Sequence, residues 1–379
     1  MLDRPTVLRN TGGMSQDTPR GATAGRLLRG GAAILSVLVA LAAGLGLRPT
    51  PSRLPAEAQG DQALAEVART TFGDQGRALA VAVVDRSGAR SATIGAGPHD
   101  RFEVGSISKG LTGMLLEIAI QRGEVTAESR VGKFVDLGAS PVGQVTLAQL
   151  ATHTSGLPPI PPSGRQFARS LWWQISGASP YGTSTEDFLR DVARAPLDSP
   201  PGTYSNCGFQ LLGLALGRAA GTPYPQLLRE RVLDPLGMHD TTVPLTAADL
   251  DDLDLPGDSA IGTSDGPWLG EPVAPAGGAR SSAHDMTILL QALLDGSAPG
   301  VTAMRPRVSA DGQSTGCAWV TSPDPERGPV VWHNGITAGF TSMIALDTQA
   351  GRGVVVLAAR SEGVEAPALD ILRNPQVWP

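Results

Sequence analysis

The chain has 379 residues, of which 41% are hydrophobic and 17% are charged, and its formal net charge at pH 7 is −6. This length and composition exclude a wholly disordered chain and predict one large domain or two intertwined ones. The acidic balance, with no basic stripe or nucleic-acid motif in the sequence, argues against a nucleic-acid partner. The five histidines show no metal-ligand spacing, so neither a metal site nor another cofactor is predicted.

An uncharged run of 18 residues, Gly30–Leu47, follows three arginines at positions 20, 26 and 29. The run is close to the minimum length for a membrane-spanning helix and longer than the usual apolar core of a signal peptide. The preceding arginines predict that the N-terminus stays inside and that the rest of the chain is exported. We expect a single-pass anchor in the cell membrane, with secretion after signal cleavage as the alternative. The predicted segments are a cytoplasmic or leader segment (1–29), the anchor or signal core (30–47), a linker (48–60) and an extracytoplasmic domain (61–379).

The first elements of this domain alternate between helical and strand patterns. A helical pattern covers Asp61–Phe72, and two strands are expected around a turn at Asp85–Gly88. A further helix is predicted over Ser106–Arg122, because apolar residues recur there at helical spacing. The middle of the chain, roughly 123–275, alternates short helical patterns with Pro/Gly loops, and 157–201 is its least patterned part.

The C-terminal part carries a predicted helix over His284–Leu294, ended by Gly296, and then three strand-like runs. Strands near both chain ends with helices between them predict an α/β fold of the α+β kind. In this fold an antiparallel sheet built from both chain ends is flanked by helices, and an all-helical lobe is inserted. The predicted sheet lobe comprises about 61–105 and 276–379, and the helical lobe about 106–275. We expect the functional site in the cleft between the lobes.

The first candidate motif is Ser106-Ile107-Ser108-Lys109, at the start of a predicted helix. Residues three apart share one helix face, so the Lys109 amine can reach the Ser106 hydroxyl. A lysine can deprotonate a serine only if desolvation or a neighbouring cation lowers its pKa. The chain has only two lysines against 28 arginines, which favours a role for Lys109 that requires loss of a proton, because arginine cannot lose one. The alternative is a serine that caps the helix and a solvated lysine.

The second candidate motif is Tyr204-Ser205-Asn206, on a turn after Pro201 and Gly202. Tyr204 and Asn206 can both face one cleft. A tyrosine near a cationic lysine can act as acid or base, and an asparagine can orient a substrate amide. The alternative is a turn in which the tyrosine packs and the asparagine caps the next helix.

The third candidate motif is His333-Asn334-Gly335, in a late strand. A strand edge that lines a cleft can bind an extended substrate as an added strand. Gly335 allows close approach, and the N–H of Ile336 can serve as an oxyanion donor together with the N–H groups at the start of the Ser106 helix. The alternative is an ordinary half-buried strand histidine.

In this order and at this spacing, the three motifs resemble those of the penicillin-recognising serine hydrolases. This group comprises class C β-lactamases, D,D-carboxypeptidases and esterases with a β-lactamase/transpeptidase-like fold. The resemblance covers about residues 61–372 and is more specific than any single motif. It is supported by five flanking runs, RFEVGSISKGLTGMLL (101–116), LATHTSGLP (150–158), PGTYSNCGFQLLG (201–213), DPLGMHDTT (234–242) and AGGARSSAHDM (276–286).

The resemblance implies that Ser106 forms an acyl-enzyme, that Lys109 and Tyr204 share proton transfer, and that Asn206 binds the substrate amide. The resemblance also implies that His333 and Asn334 bind the substrate in the carboxylate subsite, where many members have lysine in place of His333 and threonine or serine in place of Asn334. A substrate carboxylate would therefore meet an imidazole that is largely neutral near its reference pKa of about 6.5.

We accordingly expect an exported serine hydrolase that acts on small-molecule or peptide substrates, namely cell-wall D-Ala-D-Ala peptides, β-lactams or small esters. D,D-peptidase-like or esterase-like activity is favoured over strong β-lactamase activity. The alternative is a catalytically silent, membrane-tethered penicillin-binding or sensor domain. The sequence does not indicate the oligomeric state.

Several other residues invite competing interpretations. Two G-x-S-x-G matches, centred on Ser264 and Ser314, lack the strand–turn–helix context of an α/β-hydrolase nucleophile and are predicted to be turns. Cys207 and Cys317 can either pair after export or stay free and buried. His153 is predicted to make a structural hydrogen bond.

Overall fold

The structure, a computed structural model, describes residues 52–176, 179, 181–258, 266–310, 312–324 and 328–378. The predicted anchor at 30–47 and the G-x-S-x-G match around Ser264 lie outside the described residues. Within the described ranges no helix combines the length and the apolar character needed to cross a membrane. The predicted boundaries of the sheet lobe and the helical lobe stay predictions.

The described strands and helices follow the predicted order along the chain. The strands are β1 (Ala58–Gly60), β2 (Ala78–Asp85), β3 (Gly88–Ile94), β4 (Phe102–Glu103), β5 (Arg280–Ser281), β6 (Val308–Ala310), β7 (Gln313–Thr315), β8 (Val320–Ser322), β9 (Val330–Ile336), β10 (Thr341–Asp347) and β11 (Arg352–Ala359). The helices are α1 (Gln62–Phe72), α2 (Ile107–Gln121), α3 (Leu147–Ala151), α4 (Gly164–Ser176), α5 (Thr185–Val192), α6 (Asn206–Ala220), α7 (Tyr224–Leu228), α8 (Asp234–Leu236), α9 (Ala274–Gly277), α10 (Ala283–Asp295) and α11 (Glu365–Arg373). Short 3₁₀ turns occupy Val131–Lys133, Pro141–Gln144, Ala247–Asp249 and Val301–Met304, and a π turn occupies Arg229–Leu233.

The main sheet has nine strands in the order β1-β3-β2-β11-β10-β9-β8-β7-β6. All of its strand pairs are antiparallel. The N-terminal strands join the C-terminal ones where β2 pairs with β11, with Ala82 opposite Val355. The prediction of an antiparallel sheet built from both chain ends is therefore confirmed.

Both faces of the central strands are covered, which explains their almost continuous apolar sequence. Successive side chains of a strand point to opposite faces. In β10, Ile344 and Leu346 face the core that includes α2, α6 and α10, whereas Met343 and Ala345 face the core that includes α1 and α11. This alternation continues through β9 and decides which motif residues reach the cleft.

A separate two-stranded ladder of β4 and β5 connects the two motif-bearing regions. Phe102 lies opposite Ser281, and Glu103 lies opposite Arg280. The strand β4 runs directly into the turn before α2, and β5 follows α9. The ladder thereby places the start of α2, with Ser106, beside the segment that contains Ala276.

The predicted start of α1 at Asp61 and the predicted end of α10 at Gly296 are confirmed. Asp61 caps α1 by accepting a hydrogen bond from the N–H of Leu64 at 3.0 Å. Gly296 ends α10 in the left-handed conformation, with φ of 78°, which an amino acid with a side chain adopts at a cost. The poorly patterned stretch contains α4 and α5. Helix α4 lacked a clear signal because three large apolar side chains point outward, Phe167, Leu171 and Trp172.

The run Gly316–Ser322, predicted as one strand, is a strand only from Val320 onward. Ala318 has φ of 71°, a conformation that no strand contains. The preceding Cys317 packs against α2 so closely that a Cβ on Gly113 would collide with it.

Cys317 and Cys207 are both buried and free. Of the two alternatives for these cysteines, a disulfide or two free thiols, the structure has the two free thiols.

Candidate active site

Ser106 and Lys109 lie together at the N-terminus of α2. The Lys109 Nζ is 2.9 Å from the Ser106 Oγ, as expected for residues three apart on one helix face. The Ser106 side chain makes no capping hydrogen bond, so its hydroxyl is not occupied by the backbone of its own helix. The alternative of a helix-capping serine with a solvated lysine is therefore wrong.

Lys109 is fully buried, and its amine has a second partner in the carbonyl oxygen of Ala276, at 2.5 Å. The aromatic rings of Tyr204 and Phe209 lie 4.7 Å and 5.9 Å from Nζ. Burial lowers the pKa of Lys109 well below its usual value of 10.5, because the charged ammonium form loses its hydration. The site thus favours the neutral amine, which can accept a proton.

Tyr204 lies between the lysine and a buried histidine. Its ring is 4.7 Å from that of His153 and 4.7 Å from the Lys109 Nζ. Desolvation within the cleft raises the pKa of Tyr204 above 10.0, and the nearby Ser106 side chain partly opposes this rise. Tyr204 is therefore a protonated phenol at neutral pH, which can donate its proton.

His153 supports Tyr204 from the loop after α3. Its Nδ1 accepts a hydrogen bond from the backbone N–H of Ser205 at 3.1 Å, which confirms the predicted structural hydrogen bond. Burial lowers the pKa of His153 to about 3, so the ring is neutral at neutral pH. His153 also has φ of 58°, a left-handed conformation that costs a non-glycine residue on the order of 1–3 kcal/mol.

Ser205 rather than Asn206 caps the helix α6, because the Ser205 Oγ accepts from the N–H of Gly208 at 3.1 Å. The side chain of Asn206, the first residue of α6, is free to turn toward the cleft. There its Nδ2 donates to the hydroxyl of Tyr181 at 3.1 Å. Tyr181 is held by an edge-to-face contact with Trp268, at 4.7 Å between ring centroids. Tyr181 carries no signal in the sequence, because it lies in the poorly patterned stretch and follows no motif.

His333 and Asn334 lie on opposite faces of the sheet, as neighbours in a strand must. The buried His333 is on the face toward α2, and its Nδ1 is 2.7 Å from the carbonyl oxygen of Asn334. Burial lowers the pKa of His333 to about 3. Because a carbonyl can only accept, Nδ1 carries the proton and Nε2 keeps a lone pair.

Asn334 directs its side chain away from His333. Its amide donates to the Glu365 Oε1 at 2.7 Å, at the start of α11. The structure therefore does not bring the Asn334 amide to the subsite where the sequence analysis placed it beside His333. The period of two in a strand was sufficient to predict this separation.

The last residues of β9, which follow the final pairing of β9 with β8, lie close to the start of α2. The final β8 pairing joins Val320 to Trp332, so the edge of β9 after that pair lies open. Thr337 N–H donates to the Phe340 carbonyl, and hydrogen-bonded pairs alternate along an antiparallel ladder. The N–H of Ile336 consequently points away from β10.

Two glycines permit this approach of strand to helix. A Cβ on Gly105, which has φ of 50°, would lie 2.9 Å from the Ile336 nitrogen. A Cβ on Gly335 would collide with the Val104 carbonyl. The N–H of Ile336 is thereby beside the residue that precedes Ser106, where the two N–H groups of an oxyanion site have to converge.

A cavity of about 490 Å³ opens beside Tyr204 and His333. Ala318, in its left-handed conformation, lines this cavity, as does His153. These are the two non-glycine residues with positive φ in the part of the chain that the structure describes. Such strained positions often occur at functional sites. Other lining residues are Tyr204, Gln313, Trp332, His333 and Asn334, although the side-chain amide of Asn334 is bonded to Glu365.

Ser314, from the second G-x-S-x-G match, lies in β7 and not at a strand–turn–helix junction. Its Oγ is 2.8 Å from the Ser309 Oγ of the neighbouring strand. No lysine or histidine approaches it in the contacts of the described residues. The prediction of a turn is therefore wrong at Ser314, which lies in a strand between β8 and β6, whereas the predicted absence of a strand–turn–helix context is confirmed.

Known proteins match this chain in sequence. A sequence model of the β-lactamase family matches residues 19–376. The D-alanyl-D-alanine-carboxypeptidase/endopeptidase AmpH of Escherichia coli K12 is 34% identical over 146 residues, which cover 37% of this chain and 36% of that protein. Penicillin-binding protein 4* of Bacillus subtilis is 24% identical over 287 residues, which cover 70% of this chain and 62% of that protein. The matches thus span less than two thirds of either relative.

Solved structures match the fold. A β-lactamase/D-alanine carboxypeptidase from Pseudomonas syringae superposes with a TM-score of 0.70 at 20% identity, covering 82% of this chain and 99% of that one. A class C β-lactamase superposes with a TM-score of 0.69 at 19% identity, covering 82% and 94%. Together with the family match over most of the sequence, these findings show that the chain belongs to the β-lactamase family of serine hydrolases.

Proposed function

We propose that this protein is an exported hydrolase that forms an acyl-enzyme at Ser106 and acts on small esters and cell-wall D-Ala-D-Ala peptides in preference to β-lactams. The observation that carries the proposal is the 2.9 Å separation between the Lys109 Nζ and the Ser106 Oγ, with Lys109 fully buried. A serine becomes nucleophilic when an adjacent base can take its proton. A desolvated amine meets this requirement.

Acylation begins with transfer of the Ser106 hydroxyl proton to the neutral Lys109 amine. The Oγ forms a bond to the substrate carbonyl carbon, and the carbonyl oxygen becomes an oxyanion. The N–H groups of Ser106 and Ile336 stabilise this charge, a contribution worth about 3–4 kcal/mol for one donor in a comparable site. The carbonyl of Ala276 holds the amine in place through one of its hydrogens, at 2.5 Å.

Collapse of the tetrahedral intermediate breaks the bond to the leaving group, which takes the proton of the Tyr204 hydroxyl. Lys109 then returns its extra proton to the tyrosyl oxygen, so both groups regain their starting states. In deacylation a water molecule attacks the acyl carbon and gives one proton to this pair. Ser106 leaves with a proton, and the acid product is released. General acid and base catalysis of this kind contributes about 10²–10⁴-fold in rate.

The neutral state of His333 supports the preference among substrates. Its Nδ1–H is directed to the Asn334 carbonyl, so the Nε2 lone pair is the polar atom left for a ligand. A carboxylate on the substrate needs a donor or a positive charge at this place, and a lone pair repels it. Substrates without a carboxylate next to the scissile bond avoid this repulsion. Small esters are therefore the first expected substrates, whereas β-lactams and D-Ala-D-Ala peptides both carry such a carboxylate and both meet this repulsion.

Cell-wall peptides are included because of the relatives. AmpH is named a D-alanyl-D-alanine-carboxypeptidase/endopeptidase, and the superposed Pseudomonas syringae protein is named a β-lactamase/D-alanine carboxypeptidase.

The proposed export of the domain is supported by the apolar run at 30–47 and the arginines before it. Digestion of intact cells with an external protease tests it, because an exported domain is cleaved and an internal one is protected.

A direct test compares three acyl donors on the full-length chain: a p-nitrophenyl ester, a D-Ala-D-Ala peptide and a chromogenic cephalosporin. We expect the highest kcat/KM with the ester, measurable turnover of the peptide, and slow or single-turnover reaction with the cephalosporin. Ser106→Ala is the control, and it should lose the covalent adduct with a fluorescent penicillin. Adduct formation at Ser314 or Ser264, or no adduct and no turnover with any donor, would reject the proposal in favour of an inactive binding domain.

A further inference from the structure

Three residues from distant parts of the chain meet at the surface, outside the cavity lined by Tyr204 and His333. They are His99 in the loop before β4, Asp240 in the loop after α8, and His284 in the first turn of α10. We propose that they form a binding site for a divalent transition metal, with Zn²⁺ as the best fit. The sequence showed no metal-ligand spacing because the ligands lie 141 and 44 positions apart.

The separations between the three ligand atoms suit a tetrahedral ion. The Asp240 Oδ2 lies 2.9 Å from the His99 Nδ1 and 3.8 Å from the His284 Nδ1. One potential ligand atom from each of the three residues lies within 4.8 Å of those from the other two. Bonds of about 2.0–2.2 Å to Zn²⁺ in a tetrahedral arrangement place neighbouring ligand atoms about 3.3 Å apart. The two measured distances to the carboxylate lie on either side of this value, so only small side-chain rotations are needed.

The surrounding structure holds the ligands in position. The Ser282 Oγ donates to the Asp240 Oδ2 at 2.6 Å, which orients the carboxylate. The backbone N–H of His284 donates to the Pro98 carbonyl at 3.0 Å, which fixes the start of α10 beside the segment that carries His99. Partners of this kind around the ligands commonly change metal affinity by about 10–100-fold.

The chemistry of the three groups selects the class of ion. Two imidazoles and one carboxylate suit Zn²⁺, Cu²⁺ or Ni²⁺, whereas Mg²⁺ and Ca²⁺ prefer oxygen ligands alone. The buried Asp285 adds a second carboxylate, 3.2 Å from the His284 Nδ1, so the negative charge nearby matches that of a divalent cation. The side chains of His99 and His284 are 55% and 49% exposed. An ion can therefore enter from solvent and keep a water molecule as its fourth ligand.

The simpler interpretation is a surface ion pair between Asp240 and one histidine, with the second histidine nearby by chance. The pair alone explains the contact between His99 and Asp240. It does not explain why the His284 ring, whose Nδ1 is 3.2 Å from the Asp285 Oδ1, also brings that nitrogen to 3.8 Å from the same Asp240 oxygen, with the two rings 4.9 Å apart.

The test is a calorimetric titration of the chelator-treated full-length chain with Zn²⁺. We expect one ion per chain, and a rise in Tm on adding Zn²⁺, because a ligand that binds only the native state stabilises it. His99→Ala and His284→Ala should each weaken binding by at least about tenfold and remove the rise in Tm. His239→Ala is the matched control, since His239 is exposed and adjacent to Asp240 in sequence but outside the group. It should bind as the unaltered chain does.

Three outcomes would overturn the proposal: no binding at a large excess of Zn²⁺, binding unaffected by either ligand substitution, or equal weakening by His239→Ala. If an alanine variant is misfolded by circular dichroism, His99→Gln and His284→Gln replace it, since glutamine keeps a polar side chain of similar size at these half-exposed positions. The readout is metal binding and not hydrolysis, so its result is independent of the function proposed for Ser106.

Discussion

The side-chain amide of Asn206 donates to the hydroxyl of Tyr181 at 3.1 Å. In the free protein the amide that is proposed to bind the substrate is thus already positioned by a second tyrosine of the cleft. Tyr181 is in turn packed against Trp268. We infer that Tyr181 acts through Asn206 as a positioning residue.

Tyr181→Phe should therefore raise KM by about 2–10-fold and leave kcat within about twofold, since one net hydrogen bond is worth about 0.5–1.5 kcal/mol. Steady-state kinetics with a p-nitrophenyl ester measure both values. Tyr224→Phe is a matched control, because its buried hydroxyl bonds to Thr112 at 2.7 Å and should affect stability rather than KM. A fall in kcat with unchanged KM in Tyr181→Phe would show that the tyrosine takes part in the chemical step instead.

Lys109→Arg should reduce kcat/KM almost as severely as Lys109→Ala. The guanidinium of arginine keeps its proton at any relevant pH, so it cannot accept the one from Ser106. The chain supplies its own control in Lys133, the other lysine, which is exposed. Lys133→Arg should leave the rate unchanged. Recovery of most of the activity in Lys109→Arg would mean that the positive charge and not proton transfer is what the site requires.

Asn334→Ala should leave kcat/KM within about twofold, because the Asn334 amide bonds to Glu365 on the sheet face opposite to His333. The free energy of unfolding should fall by about 0.5–1.5 kcal/mol through the lost hydrogen bond. Urea unfolding and ester kinetics on the same preparation separate the two effects. A large rise in KM with unchanged stability would instead place the amide in contact with the substrate.

Stability should fall as the pH drops from about 7 toward 4. The pKa values of His153 and His333 are lowered by burial to about 3, whereas in the unfolded chain they are near 6.5. Between these values the unfolded chain binds more protons than the native one, so each histidine adds a slope of up to about 1.4 kcal/mol per pH unit. The contribution of the two histidines to this slope should vanish above about pH 7, where both are neutral in the native and the unfolded chain.

Urea unfolding at several pH values measures this slope. His333→Gln should reduce it by about half, because one of the two buried histidines is then absent. His239→Ala, at an exposed position, should leave it unchanged. A slope that His333→Gln does not alter would show that His333 is already protonated in the native protein, which would also remove the argument against carboxylate-bearing substrates.

The sequence alone predicted the elements in which short-range forces dominate. Helical spacing of apolar residues indicated α2, and the side chain of Asp61 and the glycine at 296 marked ends of α1 and α10. The pairing of Ser106 with Lys109 followed from one helical turn. The stretch at 157–201 gave no such signal, because α4 exposes large apolar side chains and so lacks the usual polar outer face.

Contacts between residues distant in sequence were decided by the tertiary structure. The Ala276 carbonyl meets Lys109 only because β4 and β5 pair, and the hydrogen bond between Asn206 and Tyr181 joins residues 25 positions apart. The lowered pKa of Lys109 depends on complete burial, which no local pattern specifies. A motif encodes which groups are available, whereas desolvation and long-range contacts arise from packing of the whole chain. For this reason the sequence determined the order and identity of the reacting groups, and the tertiary structure determined their protonation states, their partners and the face of the sheet on which each one lies.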